Sequence, residues 1–215
     1  MKKVAVILAG CGHRDGAEIH EAVCTLLALD QAGASYQCLA PDKAQHDVLN
    51  HVTGEAMAET RNVLIEAARI ARGNIRDVAL ANLGDFDAVI LPGGFGCAKN
   101  ICDFALKGAD MSIDAGVFRF VSEMHAAGKP VGLICIAPVM SPLIDSEAHF
   151  TIGNDPVTAA TVEKMGGQHV DCAADDCVVD RERRIVTTPA YMLATRISQV
   201  QAGISKLVRE VLALS

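Results

Sequence analysis

Residues 131–140 read VGLICIAPVM. The first four form a continuous apolar run with no polar alternation, which predicts a strand buried on both faces, as in a parallel sheet. Cys135 stands where that strand ends. Pro138 follows three residues later, and proline is tolerated in the first turn of a helix. A thiol at a strand-to-helix turn resembles a nucleophile elbow, where a sharp turn lifts the side chain out of the sheet toward the amides of the next turn. A helix N-terminus favours the thiolate and lowers a cysteine pKa. Plain burial is the competing account, because free cysteine is among the most buried residue types.

The rest of the chain alternates in the same way. Residues 3–8 (KVAVIL) predict a strand that runs into a glycine-rich turn. Over 17–32, Val23, Leu26, Leu27 and Leu29 recur at helical spacing, with Gly33 as the stop. Strands are predicted at 36–40 and 88–91, and helices at 117–127, 156–165 and 197–212. Residues 177–180 and 184–187 flank a charged turn and predict a hairpin. Strands without alternation, separated by helices, define an α/β protein: a mostly parallel sheet with helices on both faces. At 215 residues the chain suits one domain, 1–215. The stretch 41–83 exceeds a minimal crossover. It contains a predicted helix at 60–72, capped by Thr60 and stopped by Gly73. Two readings stand for this excursion: a helical insert packed on an edge, or a lid or interface.

Lys and Arg total 19 against 26 Asp and Glu, so the net charge is -7 and no basic run exists to hold nucleic acid or anionic membrane. The apolar opening is cut short by Gly10–Asp15, and no segment approaches the ~18 apolar residues of a membrane span. A cytoplasmic protein is expected. Eight cysteines include no CxxC pair, so no disulfide framework is expected.

In an open α/β sheet, ligands bind at the carboxyl ends of the strands. Residues 10–15, the glycines of LPGGFG and Cys135 all fall there. Gly93 and Gly94 let the backbone approach a ligand, and their amides, with that of Ile136, are candidates for an oxyanion hole. The loop is neither a Walker loop nor a dinucleotide fingerprint. Glu18 and Glu21 lie three apart at the start of the first helix. Glu21 is flanked by Ala17, Cys24, Thr25 and Ala28, a small and mostly apolar neighbourhood that raises a carboxyl pKa. Such an acid donates a hydrogen bond to a thiolate or relays protons. Glu18 fits better as an N-terminal charge that complements the helix dipole.

GAEIHEAV (16–23), ILPGGFGCAKN (90–100) and GLICIAP (132–138), in this order, resemble the PfpI / class I glutamine-amidotransferase-like superfamily. Residues 41–43 (PDK), 50–73 (NHVTGEAMAETRNVLIEAARIARG), 151–155 (TIGND) and 186–192 (VTTPAYM) resemble its ElbB-type glyoxalase branch, so the similarity covers essentially the whole chain. The resemblance implies a flavodoxin-like three-layer sandwich, usually a homodimer. It implies Cys135 as nucleophile, Glu21 as its paired acid, and Gly94 and Ile136 as oxyanion amides. The implied activity is a glyoxalase independent of glutathione, metal and cofactor. Glyoxal would add to Cys135 as a hemithioacetal, Glu21 would shuttle a proton between the two carbons, and water would release glycolate. Protein deglycation would use the same adduct chemistry.

The departures also bear on function. Hydrolase members of the superfamily often carry His directly after the nucleophile, where this chain has Ile136. Others supply a His from the segment matching TIGND, where this chain has Gly153, Asn154 and Asp155. Amide hydrolysis by a Cys–His–Glu triad is therefore not expected. His13 and His20 lie near the site, and His20 and Cys24 share i, i+4 spacing, but two ligands without a third do not predict zinc. His46, His51, His125 and His169 show no pairing. The alternative function is a redox-sensing or binding protein in which Cys135 is oxidised and glyoxalase turnover is incidental.

Overall fold

The computed structural model describes all residues 1–215. In chain order the elements are β1 (Lys3–Ile7), α1 (Ile19–Gln31), β2 (Ser35–Ala40), α2 (Val63–Ile70), β3 (Ile75–Asp77), β4 (Ala88–Leu91), α3 (Phe104–Lys107) and α4 (Ala115–Ala126). There follow β5 (Val131–Ile134), α5 (Ser141–Ile144), β6 (His149–Phe150), α6 (Pro156–Lys164), β7 (Gln168–His169), β8 (Val178–Asp180), β9 (Ile185–Thr188) and α7 (Ile197–Leu214). Seven strands form one sheet in the order β3-β2-β1-β4-β5-β9-β8. Every pairing in it is parallel except the β8–β9 hairpin. β6 and β7 make a separate two-stranded parallel ribbon.

The central strands explain the layering. β1, β4 and β5 are buried along nearly their whole length, because helices cover both sides. α1 and α7 pack side by side on one face. A Cβ on Gly132 of β5 would lie 3.1 Å from both Leu207 and Val211, so the absent side chain is what lets α7 settle on the sheet. Leu91 of β4 faces the other side, where it lines one apolar pocket with Val117 and Val121 of α4. This is the three-layer α/β sandwich expected from the sequence.

The differences lie at ends and edges. Asn62, not Thr60, caps α2: its side chain accepts the Ile65 amide at 3.0 Å, so the helix starts three residues later than predicted. α4 starts two residues earlier, because Asp114 accepts the amides of Gly116 and Val117. The 41–83 stretch is only partly helical. It supplies α2 and then β3, whose residues pair with Cys38–Ala40 as an edge strand. Residues before α2 are pinned to the body of the domain. The Leu49 amide donates to Asp15 Oδ2 at 2.7 Å, the His46 amide donates to Asn100 Oδ1 at 2.8 Å, and Lys99 pairs with Asp47 at 2.7 Å. No helix is long and apolar enough to cross a membrane.

Candidate active site

Three loops meet at the carboxyl edge of β1, β4 and β5. The loop after β4 is stitched to the loop after β1 by backbone hydrogen bonds. Glu18 N donates to Gly93 O at 3.0 Å, Phe95 N to His13 O at 2.8 Å, and Gly96 N to Gly16 O at 2.9 Å. Gly94 has φ +94°, and a Cβ there would sit 2.4 Å from the Glu18 nitrogen, so no other residue fits.

Cys135 follows β5 with φ +64°, a left-handed conformation that non-glycine residues adopt only under constraint. Its amide is held by Thr188 O at the end of β9. The elbow geometry is therefore present. The helix expected behind it is not: a 3₁₀ turn over Ala137–Met140 leads into the four-residue α5, so no long helix dipole points at the sulfur. The Gly94 and Ile136 amides do point at it.

Glu18 caps α1, its Oε2 accepting the Glu21 amide at 2.7 Å. That leaves Glu21 on the inner face of the helix, fully buried. Its Oε2 accepts the Gly93 amide at 3.0 Å, its Oε1 accepts the Tyr191 amide at 3.3 Å, and its carboxyl hydrogen-bonds Cys135. Ala190, with φ +44°, turns the chain so that the Tyr191 amide reaches the acid. Burial, reinforced by the charge of Glu18, pushes the Glu21 pKa up to about 8. Glu21 is thus a neutral acid at pH 7.

The expectation of a depressed Cys135 pKa is corrected by the structure. Burial, then the negative charge and hydrogen bond of Glu21 when ionised, push the thiol up, opposed by the Gly94 and Ile136 amides. The two groups compete for protons across one buried hydrogen bond. With a single proton between them, the carboxylate/thiol and acid/thiolate forms interchange across one hydrogen bond.

The pair opens into a cavity of about 840 Å³. Cys135, Gly94 and Ile136 lie in its wall, with His13, Glu18, His20, Thr158 and Tyr191 as polar lining. His20 Nδ1 bonds the Tyr191 hydroxyl at 2.8 Å rather than pairing with Cys24. Sequence spacing carried no signal for Tyr191 or Thr158. No residue of 41–83 lines this cavity, although His51 packs edge-on against His13 at 5.1 Å. Elsewhere, His51 lies 3.6 Å from Asp15 and His125 lies 3.2 Å from Asp145, each facing one carboxylate. Nowhere do three His, Cys, Asp or Glu side chains converge as a ligand set.

The three-layer sandwich is the DJ-1/ThiJ/PfpI fold: a DJ-1 superfamily protein from Salmonella typhimurium superposes with a TM-score of 0.57 at 22% identity, over 100% of this chain and 89% of that one. Comparison with known proteins carries this further. The chain is 41% identical to the human glutamine amidotransferase-like class 1 domain-containing protein 3, mitochondrial, over 99% of its own length and 83% of the relative's. It is 40% identical to the ES1 protein homolog, mitochondrial, of Rattus norvegicus, over 99% of this chain and 84% of that one. The chain belongs to this glutamine amidotransferase-like class 1 (ES1) family. A crystal structure of an isoprenoid biosynthesis protein with amidotransferase-like domain from Ehrlichia chaffeensis superposes with a TM-score of 0.93 at 37% identity, covering 100% of this chain and 99% of that one. A glyoxalase III from Candida albicans shares the fold, with a TM-score of 0.64 at 15% identity over 99% and 97% of the two chains. No family model matches. Both mammalian relatives are named mitochondrial, which overturns the cytoplasmic expectation.

Proposed function

We propose that the protein is a cofactor-independent glyoxalase of the ElbB type that converts glyoxal to glycolate. The observation that carries this reading is the buried Glu21 carboxyl, hydrogen-bonded to Cys135 beside an open cavity. In the singly protonated pair, the carboxylate takes the thiol proton as sulfur attacks one aldehyde carbon. The acid so formed returns that proton to the carbonyl oxygen, giving the hemithioacetal and a carboxylate. The Gly94 and Ile136 amides, which bond the Cys135 sulfur, would hold the oxygen while it is negative. The carboxylate next removes the hydrogen from the sulfur-bearing carbon, giving an enediolate, and delivers it to the second carbon, while the hydroxyl proton passes from the first oxygen to the second. The result is a Cys135 thioester of glycolate, which water hydrolyses. A carboxyl with a pKa about 8 is a far stronger base than an ordinary carboxylate, as carbon-bound protons require.

Amide hydrolysis is disfavoured: the only acid–base group hydrogen-bonded to Cys135 is Glu21, and His149 is held at Asp180, away from the cavity. The redox-sensing alternative calls for an accessible thiolate, whereas Cys135 is 7% exposed with its thiol pushed up.

The test is the pH dependence of glycolate formation from glyoxal, followed by NMR. kcat/KM should rise to a plateau with a midpoint near about 8, because the reactive pair holds one proton. Glu21→Gln keeps an oxygen for the Gly93 amide but cannot move a proton, so turnover should fall by at least about a hundredfold. Retained turnover in Glu21→Gln would remove the relay and with it this mechanism.

A further inference from the structure

Glyoxal has only four heavy atoms, yet the cavity beside Cys135 is about 840 Å³, within the size range that encloses ligands many times larger. One side of it is apolar: Phe95, Ala98, Phe104, Ile136 and Met192. Phe95 is a large aromatic left 55% exposed, and its backbone is fixed by the Phe95 N to His13 O bond, so it cannot swing away with its loop. Lys99 Nζ stands over the ring at 5.7 Å, and the part of the ring still exposed beside the thiol is stabilised when a ligand covers it. No Lys or Arg lines the cavity, and Glu18 is its only carboxylate besides the buried Glu21 behind Cys135. Lys99 Nζ, near the Phe95 ring, is already held by Asp47 at 2.7 Å and by Arg14 O at 3.2 Å, so a ligand's own carboxylate would meet Glu18 without a free cation to offset it.

We infer that the preferred substrate is a neutral 2-oxoaldehyde bearing a large apolar or aromatic substituent, which lies against Phe95 and Phe104. This rests on the glyoxalase reading of Cys135 and Glu21. The chemistry balances as for glyoxal. Sulfur bonds to the aldehyde carbon, the aldehyde hydrogen moves as a proton to the ketone carbon by way of Glu21, and water cleaves the thioester. The product is the corresponding 2-hydroxy acid, so phenylglyoxal plus water gives mandelate with no oxidant or reductant. The carboxylate formed in the last step faces Glu18, which favours release.

Two measurements separate this inference from the reading beneath it. The first is kcat/KM for phenylglyoxal against glyoxal, expected to favour phenylglyoxal by about tenfold or more, since each buried methylene is worth roughly 10–200-fold in discrimination. The second needs no chemistry: binding of 2-hydroxyacetophenone against hydroxyacetone, by ligand-observed NMR. The aromatic ketone should bind at least about tenfold tighter to the wild type, and Phe104→Ala should reduce that preference about fivefold. Turnover of glyoxal with equal binding of the two ketones overturns the inference and leaves the glyoxalase reading standing. Tighter binding of the aromatic ketone with no turnover of either aldehyde overturns the reading and keeps the ligand class. If Phe104→Ala does not fold, the wild-type comparison of the two ketones decides alone.

Discussion

Gly93 donates its amide hydrogen to Glu21 across 3.0 Å, and a Cβ on Gly93 would lie 2.9 Å from that same carboxylate oxygen. The same Cβ would lie 2.6 Å from Cβ of Cys135 and 2.9 Å from Ile134 O. Gly93 is therefore the spacer that lets acid and thiol come within hydrogen-bond reach.

Gly93→Ala should force Cys135 and Glu21 apart. Overpacking of this kind costs about 1–3 kcal/mol. In a chain of this size each kcal/mol lowers Tm by roughly 2–4 °C. Turnover should fall well beyond what that loss of stability explains. Calorimetry and glycolate assays on one preparation check both, and a normal Tm with normal activity would show that the contact is dispensable.

Glu21 also makes stability depend on pH in a definite direction. Its pKa rises from an ordinary 4.5 to about 8 on folding, so between those values the native state binds the extra proton. Stability then declines as pH rises through that window, by up to about 1.4 kcal/mol per unit. Glu21→Gln removes the titration. Its Tm should gain on the wild type steadily from about pH 5 to about pH 8, where a constant difference would mean the acid is not buried neutral.

Much of this was legible in the sequence, for physical reasons. The apolar runs of β1, β4 and β5 reveal strands buried on both faces, and the small residues around Glu21 reveal a carboxyl facing inward. β3 was not legible: Ile75–Asp77 is three residues long and becomes a strand only through pairing with β2. The Tyr191 amide on Glu21 was hidden too, because it depends on the left-handed turn at Ala190. Pro138 predicts a helix behind Cys135 and hence a depressed thiol, whereas burial and a short 3₁₀ turn set its acidity.

We propose a homodimer, for which α1 offers a surface. Ile19, Val23 and Leu27, spaced four apart on one face, are 42%, 49% and 45% exposed. Light scattering at micromolar concentration should report a dimer, and Val23→Asp should shift it toward monomer. A wild type that is monomeric under those conditions contradicts the proposal.

Cys135 is the atom on which the account turns. Glycolate formation from glyoxal should be measured for wild type and Cys135→Ser at about pH 8, with both proteins shown to be folded. The rate should fall by at least about 10³-fold, as losses of a nucleophile do. A Cys135→Ser protein that still makes glycolate at the wild-type rate would contradict the account.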